Sequence, residues 1–138
     1  MIEFYYETNF RLSNQSELSK WISAVITGEG FELGDVAYVF CDDTYLHALN
    51  LEYLQHDTLT DIISFDYSVG KQIHGEIYIS VERVRENAGI FQVPFIEELH
   101  RVMIHGVLHY CGFKDKSDKE SAKMRHKEEE ALQLLITS

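Results

Sequence analysis

The chain has few of the residues that mark exported, membrane-spanning or disulfide-stabilised proteins. Among its 138 residues are one proline and two cysteines, Cys41 and Cys111, which share no C-x-x-C spacing. No apolar run approaches the ~18–20 residues that a transmembrane helix needs, and the first residues show neither the basic nor the apolar segment of a signal peptide. We therefore expect a cytoplasmic protein with free thiols and no membrane partner.

Positive charge is scarce and unevenly distributed. The chain has 12 Lys and Arg against 23 Asp and Glu, for a net charge of −11. Such a protein repels polyanions unless its basic residues cluster. Residues 1–70 contain only Arg11 and Lys20, whereas six basic residues lie close together near the C-terminus: Lys114, Lys116, Lys119, Lys123, Arg125 and Lys127. This run is typical either of a solvated helix face of mixed charge or of a local anion-binding rim.

The length and the 45% apolar content predict one globular domain that spans residues 1–138. Helices are predicted to begin near Asn14, Asp42, Ser80, Pro94 and Ser117. Strands are predicted at Ile2–Tyr6, Val36–Phe40, Asp61–Tyr67 and Gly75–Ser80, with the last two forming a hairpin. The predicted fold class is therefore α+β, a small mixed β-sheet of about four strands covered by about five helices.

One motif carries metal chemistry. His105 and His109 are four residues apart, so on a helix they lie one turn above the other and can bind the same ion. Gly112 can end the helix in a left-handed conformation, and Asp115 follows three residues later. The pattern H-x-x-x-H-x-x-G-x-x-D predicts a zinc site made of His105, His109 and Asp115. Three protein ligands leave a fourth position open, which is typical of a catalytic zinc.

Other residues near this motif favour different roles. Cys111 could serve as a soft ligand, but it lies about 240° around the helix from His105 and is expected to pack in the core. His100 and His126 are expected to be ordinary core or surface histidines. Gly106 stands where an H-E-x-x-H peptidase has its general base. The motif therefore favours metal-assisted hydrolysis other than peptide hydrolysis by that route.

The chain resembles the bacterial YbeY family of metal-dependent endoribonucleases. The family motif H-G-x-L-H-x-x-G-x-D-H is matched at His105, Gly106, Leu108, His109 and Gly112. Three further blocks resemble family blocks in the same order: L-N-x-x-Y at residues 49–53, T-D-V-L-S-F at residues 60–65 and G-D-I-x-I-S at residues 75–80. The resemblance implies a mixed sheet of about four strands with some five helices, which agrees with the pattern-based prediction.

Two positions depart from the family pattern. The third metal-binding His of the family is replaced here by Asp115, whose carboxylate can also bind zinc but adds a negative charge. The Arg that usually follows the Tyr of L-N-x-x-Y is replaced by Leu54. If that Arg neutralises phosphate, another cation must do so here, and Arg101 and Lys114 are the candidate substrate-binding residues.

The resemblance implies a zinc-dependent endoribonuclease that matures ribosomal RNA at the 3′ end of the small-subunit RNA. Its expected partners are ribosomal RNA and the small ribosomal subunit, with no DNA. No residue stands out as a general base. Two alternatives remain open from the sequence: a non-catalytic metal-binding factor in ribosome assembly, and an unusual metallopeptidase.

Overall fold

The computed structural model describes residues 1–56 and 60–137. Its strands and helices follow the predicted order closely. In chain order they are β1 (Ile2–Tyr6), α1 (Gln15–Gly28), β2 (Glu32–Cys41), α2 (Asp43–Leu54), β3 (Ile62–Asp66), β4 (Gln72–Ser80), α3 (Val81–Phe91), α4 (Phe95–Tyr110) and α5 (Asp118–Thr137). The prediction of an α+β fold with a four-stranded mixed sheet and five helices is thus confirmed.

The sheet has the strand order β1-β2-β4-β3. Strands β1, β2 and β4 run parallel, and β3 pairs antiparallel with β4 as the predicted hairpin. Strand β2 begins four residues before the predicted Val36, because Glu32 and Leu33 pair with β4 across a register shift. The polar Asp35 and the small Gly34 interrupt the apolar run there and hide the start of the strand.

The helix ends show which candidate capping residues make capping hydrogen bonds. At α5, where a helix was predicted to begin near Ser117, Ser117 and Glu120 form a capping box: Glu120 N donates to Ser117 Oγ (3.1 Å) and Ser117 N donates to Glu120 Oε1 (3.0 Å). Asn14 precedes α1, but within the described residues its side chain makes no capping hydrogen bond. Helix α3 continues through Gly89 and ends at Phe91, before Gln92 in a left-handed conformation.

Helix α4 is the most deeply buried helix of the fold and carries the predicted metal-binding histidines. Its apolar face packs in the main core, which it shares with α1, the sheet and α5. The side chains that α4 and α5 contribute to this core include Met103, Val107, Met124 and Leu132. Trp21 Nε1 donates to the backbone oxygen of Ala131 (2.7 Å), which ties α5 to α1. None of the described helices is long and apolar enough to cross a membrane.

Gly75 determines how closely the end of α4 approaches the sheet. A Cβ at this position would overlap Cζ and Oη of Tyr110. Hydrogen bonds hold that ring in place, because its hydroxyl donates to the backbone oxygens of Phe65 (2.9 Å) and Glu76 (3.2 Å). We expect Gly75→Ala to lower the free energy of unfolding by about 1–3 kcal/mol, as overpacked cores do.

Gly89→Ala is the matched control, measured by urea denaturation. It places a Cβ in open space within α3, so it should raise the free energy of unfolding by about 0.5–1 kcal/mol. Equal effects of the two substitutions would contradict the close approach between Gly75 and Tyr110.

Candidate metal centre

The last turns of α4 and the reversal after it bring the predicted ligands together. The helix presents His105 and His109 on one face and ends at Tyr110. Gly112 then adopts a left-handed conformation (φ 97°), and Phe113 N donates to the backbone oxygen of Leu108 (3.1 Å). This tight reversal directs the chain back toward the histidine face and brings Asp115 beside both rings.

Three donor atoms form a compact triangle. The Nε2 atoms of His105 and His109 are 3.0 Å apart. Asp115 Oδ2 lies 3.2 Å from His105 Nε2 and 3.4 Å from His109 Nε2. Ligand atoms around a tetrahedral zinc with bonds of ~2.0–2.2 Å are separated by about 3.3–3.6 Å. The three side chains therefore fit one such ion after shifts of a few tenths of an ångström.

The second nitrogen of each imidazole is already held by an acceptor. His105 Nδ1 lies 2.6 Å from Glu128 Oε2, and His109 Nδ1 lies 2.9 Å from the backbone oxygen of Phe113. Because both partners are acceptors, each Nδ1 carries the proton and each Nε2 keeps its lone pair for a metal. Two lone pairs only 3.0 Å apart repel each other unless a proton or a metal ion lies between them. The donor set thus has the chemistry of a divalent metal site.

The surroundings of the triangle combine buried acids with solvent access. A cavity of about 290 Å³ is lined by His105 and Asp115 together with Asp61, Glu98 and Arg125. Burial raises the pKa of Asp61 and of Glu98. Burial also disfavours protonation of His105, but the hydrogen bond and charge of Glu128 outweigh it, so the pKa of His105 is raised. The triangle of donor atoms therefore borders a cavity and not the packed core.

The two candidate substrate-binding residues have different environments. The side chain of Arg101 is 12% exposed, and four carboxylates lie within 3.8 Å of its guanidinium: Glu97, Glu98, Glu128 and Glu129. Its positive charge is therefore used to neutralise these acids. Lys114 is exposed next to Asp115 and lines a neighbouring cavity with Lys123. Of the two, Lys114 has the more open position for a phosphate.

The competing candidate ligands lie outside the triangle. Among the described residues, the group able to hold a metal consists of His105, His109 and Asp115. Cys111 is buried, and burial raises the pKa of its thiol to about 11. His126 is exposed on α5 and faces Glu130, whereas His100 packs beside Trp21, where burial lowers its pKa. These positions agree with the core and surface roles expected for them.

Sequence reasoning did not single out Glu128, which contacts His105 from α5. A signal was present, because Glu128 falls on the apolar stripe of α5, four residues after Met124 and four before Leu132. A charged residue on a stripe that packs in the core needs a buried partner. Its side chain is 7% exposed, and His105 and Arg101 are its partners.

Comparisons with known proteins agree with these features. The sequence model described as Endoribonuclease YbeY matches residues 3–136. The chain is 60% identical to the Endoribonuclease YbeY of Flavobacterium psychrophilum over 134 residues, which cover 97% of this chain and 96% of that protein. It is 58% identical to the protein of the same name from Flavobacterium johnsoniae over 132 residues, which cover 96% and 95% of the two chains.

A solved structure shares the fold. The solution structure of TM1509 from Thermotoga maritima superimposes with a TM-score of 0.71 at 26% sequence identity, and the match covers 98% of this chain and 89% of that one. The family model and the two Flavobacterium relatives each extend over nearly the whole chain. The chain therefore belongs to the YbeY family.

Proposed function

We propose that this protein is a zinc-dependent endoribonuclease that acts in ribosomal RNA maturation. The observation that carries the proposal is the triangle of His105, His109 and Asp115 donor atoms, 3.0–3.4 Å apart at the edge of a cavity. The relatives named Endoribonuclease YbeY support hydrolysis of RNA as the reaction. We further propose that residues 1–138 form one domain and that the protein acts in the cytoplasm.

The chain's own residues prepare the site for phosphodiester cleavage. Glu128 and the Phe113 carbonyl orient the two imidazoles, and the chain reversal at Gly112 places Asp115 beside both rings. When bound, a zinc ion would neutralise charge on the phosphate and lower the pKa of water in its open position. Arg125 is exposed at the rim of the same cavity and is well placed to attract the RNA backbone.

The proposed substrate is the precursor of the small-subunit ribosomal RNA, cleaved near its 3′ end. This choice rests on the family resemblance, and the exposed basic residues Lys114, Lys116, Lys119 and Lys123 supply a local surface for a polyanion. They lie in the turn after α4 and the first turns of α5, adjacent to Asp115. The small ribosomal subunit is the corresponding proposed partner.

A non-catalytic role in ribosome assembly is the second candidate. The observation that favours it is Leu54, 44% exposed at the end of α2, where the family pattern usually has an Arg. Gly106 has no side chain to serve as the general base of an H-E-x-x-H peptidase. A Cβ at this position would lie 3.1 Å from Cδ1 of both Ile62 and Ile77, so a glutamate there would also crowd the packing of α4 against the sheet.

Cleavage of a 3′-extended small-subunit RNA precursor by the purified protein separates the two candidates. The protein is stripped with a chelator and assayed before and after addition of one equivalent of zinc. Our proposal predicts endonucleolytic products that appear only with the metal. Stoichiometric zinc binding without any cleavage would favour the assembly factor and would contradict the nuclease.

The salt dependence of RNA binding tests the basic surface. We expect the double variant Lys119→Glu/Lys123→Glu to bind RNA more weakly and to reduce the slope of log K against log salt by about 0.7 for each phosphate that the variant no longer neutralises. Lys71→Glu is the control. Lys71 lies over the Phe31 ring, in the connection just before β4 begins, whereas Asp61, which lines the cavity beside the donor triangle, lies at the other end of β4. An unchanged slope in the double variant would show that the start of α5 is only a solvated face.

A further inference from the structure

Glu128 is a carboxylate of α5 that contacts a proposed metal ligand. It accepts a hydrogen bond from His105 Nδ1 at 2.6 Å, across 23 residues of sequence. We propose that Glu128 is a positioning residue that orients His105 for metal binding and keeps the proton of its ring on Nδ1. The inference deepens the proposed function and rests on it, because it takes His105 to be a ligand.

The geometry of the contact supports a specific role. An ionised carboxylate can only accept hydrogen bonds, so Nδ1 of His105 must be the protonated nitrogen. The lone pair of Nε2 then points toward His109 and Asp115, 3.0 and 3.2 Å away. A hydrogen bond from the second ring nitrogen to a carboxylate also makes a histidine ligand more basic and fixes its rotation.

Arg101 and the packing of α5 hold the Glu128 side chain in place. Arg101 lies 3.6 Å from its other oxygen, Oε1, which compensates the burial of a negative charge. The buried Met124 and Ala131, on either side of Glu128 in α5, pack in the main core, and the Trp21 side chain bonds to the Ala131 backbone. The carboxylate therefore has little freedom to leave the imidazole.

The two histidines are oriented by different means. His109 Nδ1 donates to a backbone oxygen, that of Phe113, in the turn that follows α4. His105 instead depends on a side chain from another helix. Removal of one carboxylate should therefore impair His105 alone, and the metal affinity should depend on how α5 packs against α4.

The test compares Glu128→Ala and Glu128→Gln with the control Glu129→Gln. Glu129 is adjacent on α5 and lies 2.9 Å from Arg101, but it is 55% exposed. The control thus removes a negative charge beside the same arginine without touching the imidazole. Zinc affinity is measured by competition with a chromophoric chelator, and circular dichroism confirms that each variant is folded.

We expect Glu128→Ala to weaken zinc binding by about 10–100-fold, the usual effect of losing such a partner. Glu128→Gln should bind with intermediate affinity, since its amide oxygen can still accept from Nδ1. Glu129→Gln should bind zinc as the wild type does. If Glu128→Ala fails to fold, Glu128→Gln alone decides between the outcomes.

A spectroscopic measurement on the metal-free protein separates orientation from general stability. Long-range ¹H–¹⁵N correlation spectra at alkaline pH report which ring nitrogen carries the proton. The wild type and Glu129→Gln should show the Nδ1–H form of His105, and the Glu128 variants should gain the Nε2–H form. A merely structural role for Glu128 would leave this tautomer unchanged.

Wild-type zinc affinity and an unchanged His105 tautomer in folded Glu128 variants would overturn the inference. An equal loss of affinity in Glu129→Gln would also overturn it, because charge and not orientation would then be responsible. Neither measurement uses RNA. A wild-type protein that binds zinc but does not cleave RNA would contradict the proposed function but not the positioning role of Glu128.

Discussion

His109→Ala is expected to remove both metal binding and RNA cleavage. His109 Nε2 is one corner of the donor triangle, and its loss leaves only His105 and Asp115, 3.2 Å apart. We expect zinc affinity to fall by more than the roughly 10–100-fold that loss of a ligand's supporting partner costs. Cleavage should fall by about two to three orders of magnitude or more, since electrostatic stabilisation of the reacting phosphate is lost.

His126→Ala is the matched control for this experiment. His126 is 72% exposed on α5 and faces Glu130 at 3.6 Å, so its removal should change neither metal content nor activity. Zinc is measured by elemental analysis of the purified proteins and cleavage by gel electrophoresis of the RNA products. A His109→Ala protein with full zinc content and wild-type cleavage would place the site elsewhere.

Asp115 gives the second large effect, and the outcome depends on the residue introduced. Asp115→Ala leaves two ligands and should weaken zinc binding strongly. Asp115→His should retain both fold and metal, because position 115 follows the helix end, its side chain is 39% exposed, and an imidazole can also supply one donor atom. The pair of variants distinguishes the loss of a ligand from a change of its charge.

Asp115→His should also shift the pH dependence of cleavage. Two neutral histidines and a carboxylate leave a divalent ion with a formal charge of +1, whereas three neutral histidines leave +2. A more positive centre lowers the pKa of water in its open position, so the acidic limb of the pH–rate profile should move to lower pH. An Asp115→Ala protein with full zinc content and unchanged activity would show that the third ligand is another side chain.

Most of the fold could be predicted, because the sequence patterns that favour each helix and strand agree with the way these elements pack. The β3–β4 hairpin, the Ser117–Glu120 capping box and the helix that carries His105 and His109 all follow from patterns within a few residues. The start of β2 could not be predicted, since Glu32 and Leu33 are strand residues only by virtue of their pairing with Gln72 and Ile73.

The site could be predicted only in part, for a similar reason. The spacing of His105, His109 and Asp115 reflects one helix and one turn, so it is visible in the sequence, although their role as ligands stays a prediction. The place of Glu128 on the apolar stripe of α5 indicates that it needs a buried partner, but the identity of that partner and the neutralisation of Arg101 depend on how α5 packs against α4. The acids around Arg101 make it a poor phosphate-binding candidate, which only the fold reveals.

The position of a zinc ion in crystals of the protein grown with one equivalent of zinc would show directly whether His105, His109 and Asp115 bind the metal. Anomalous scattering at the zinc edge identifies the ion. We expect one strong peak about 2.0–2.2 Å from His105 Nε2, His109 Nε2 and an Asp115 carboxylate oxygen, with a fourth position facing the cavity. A peak bound by other side chains, with Asp115 turned away, would contradict this expectation.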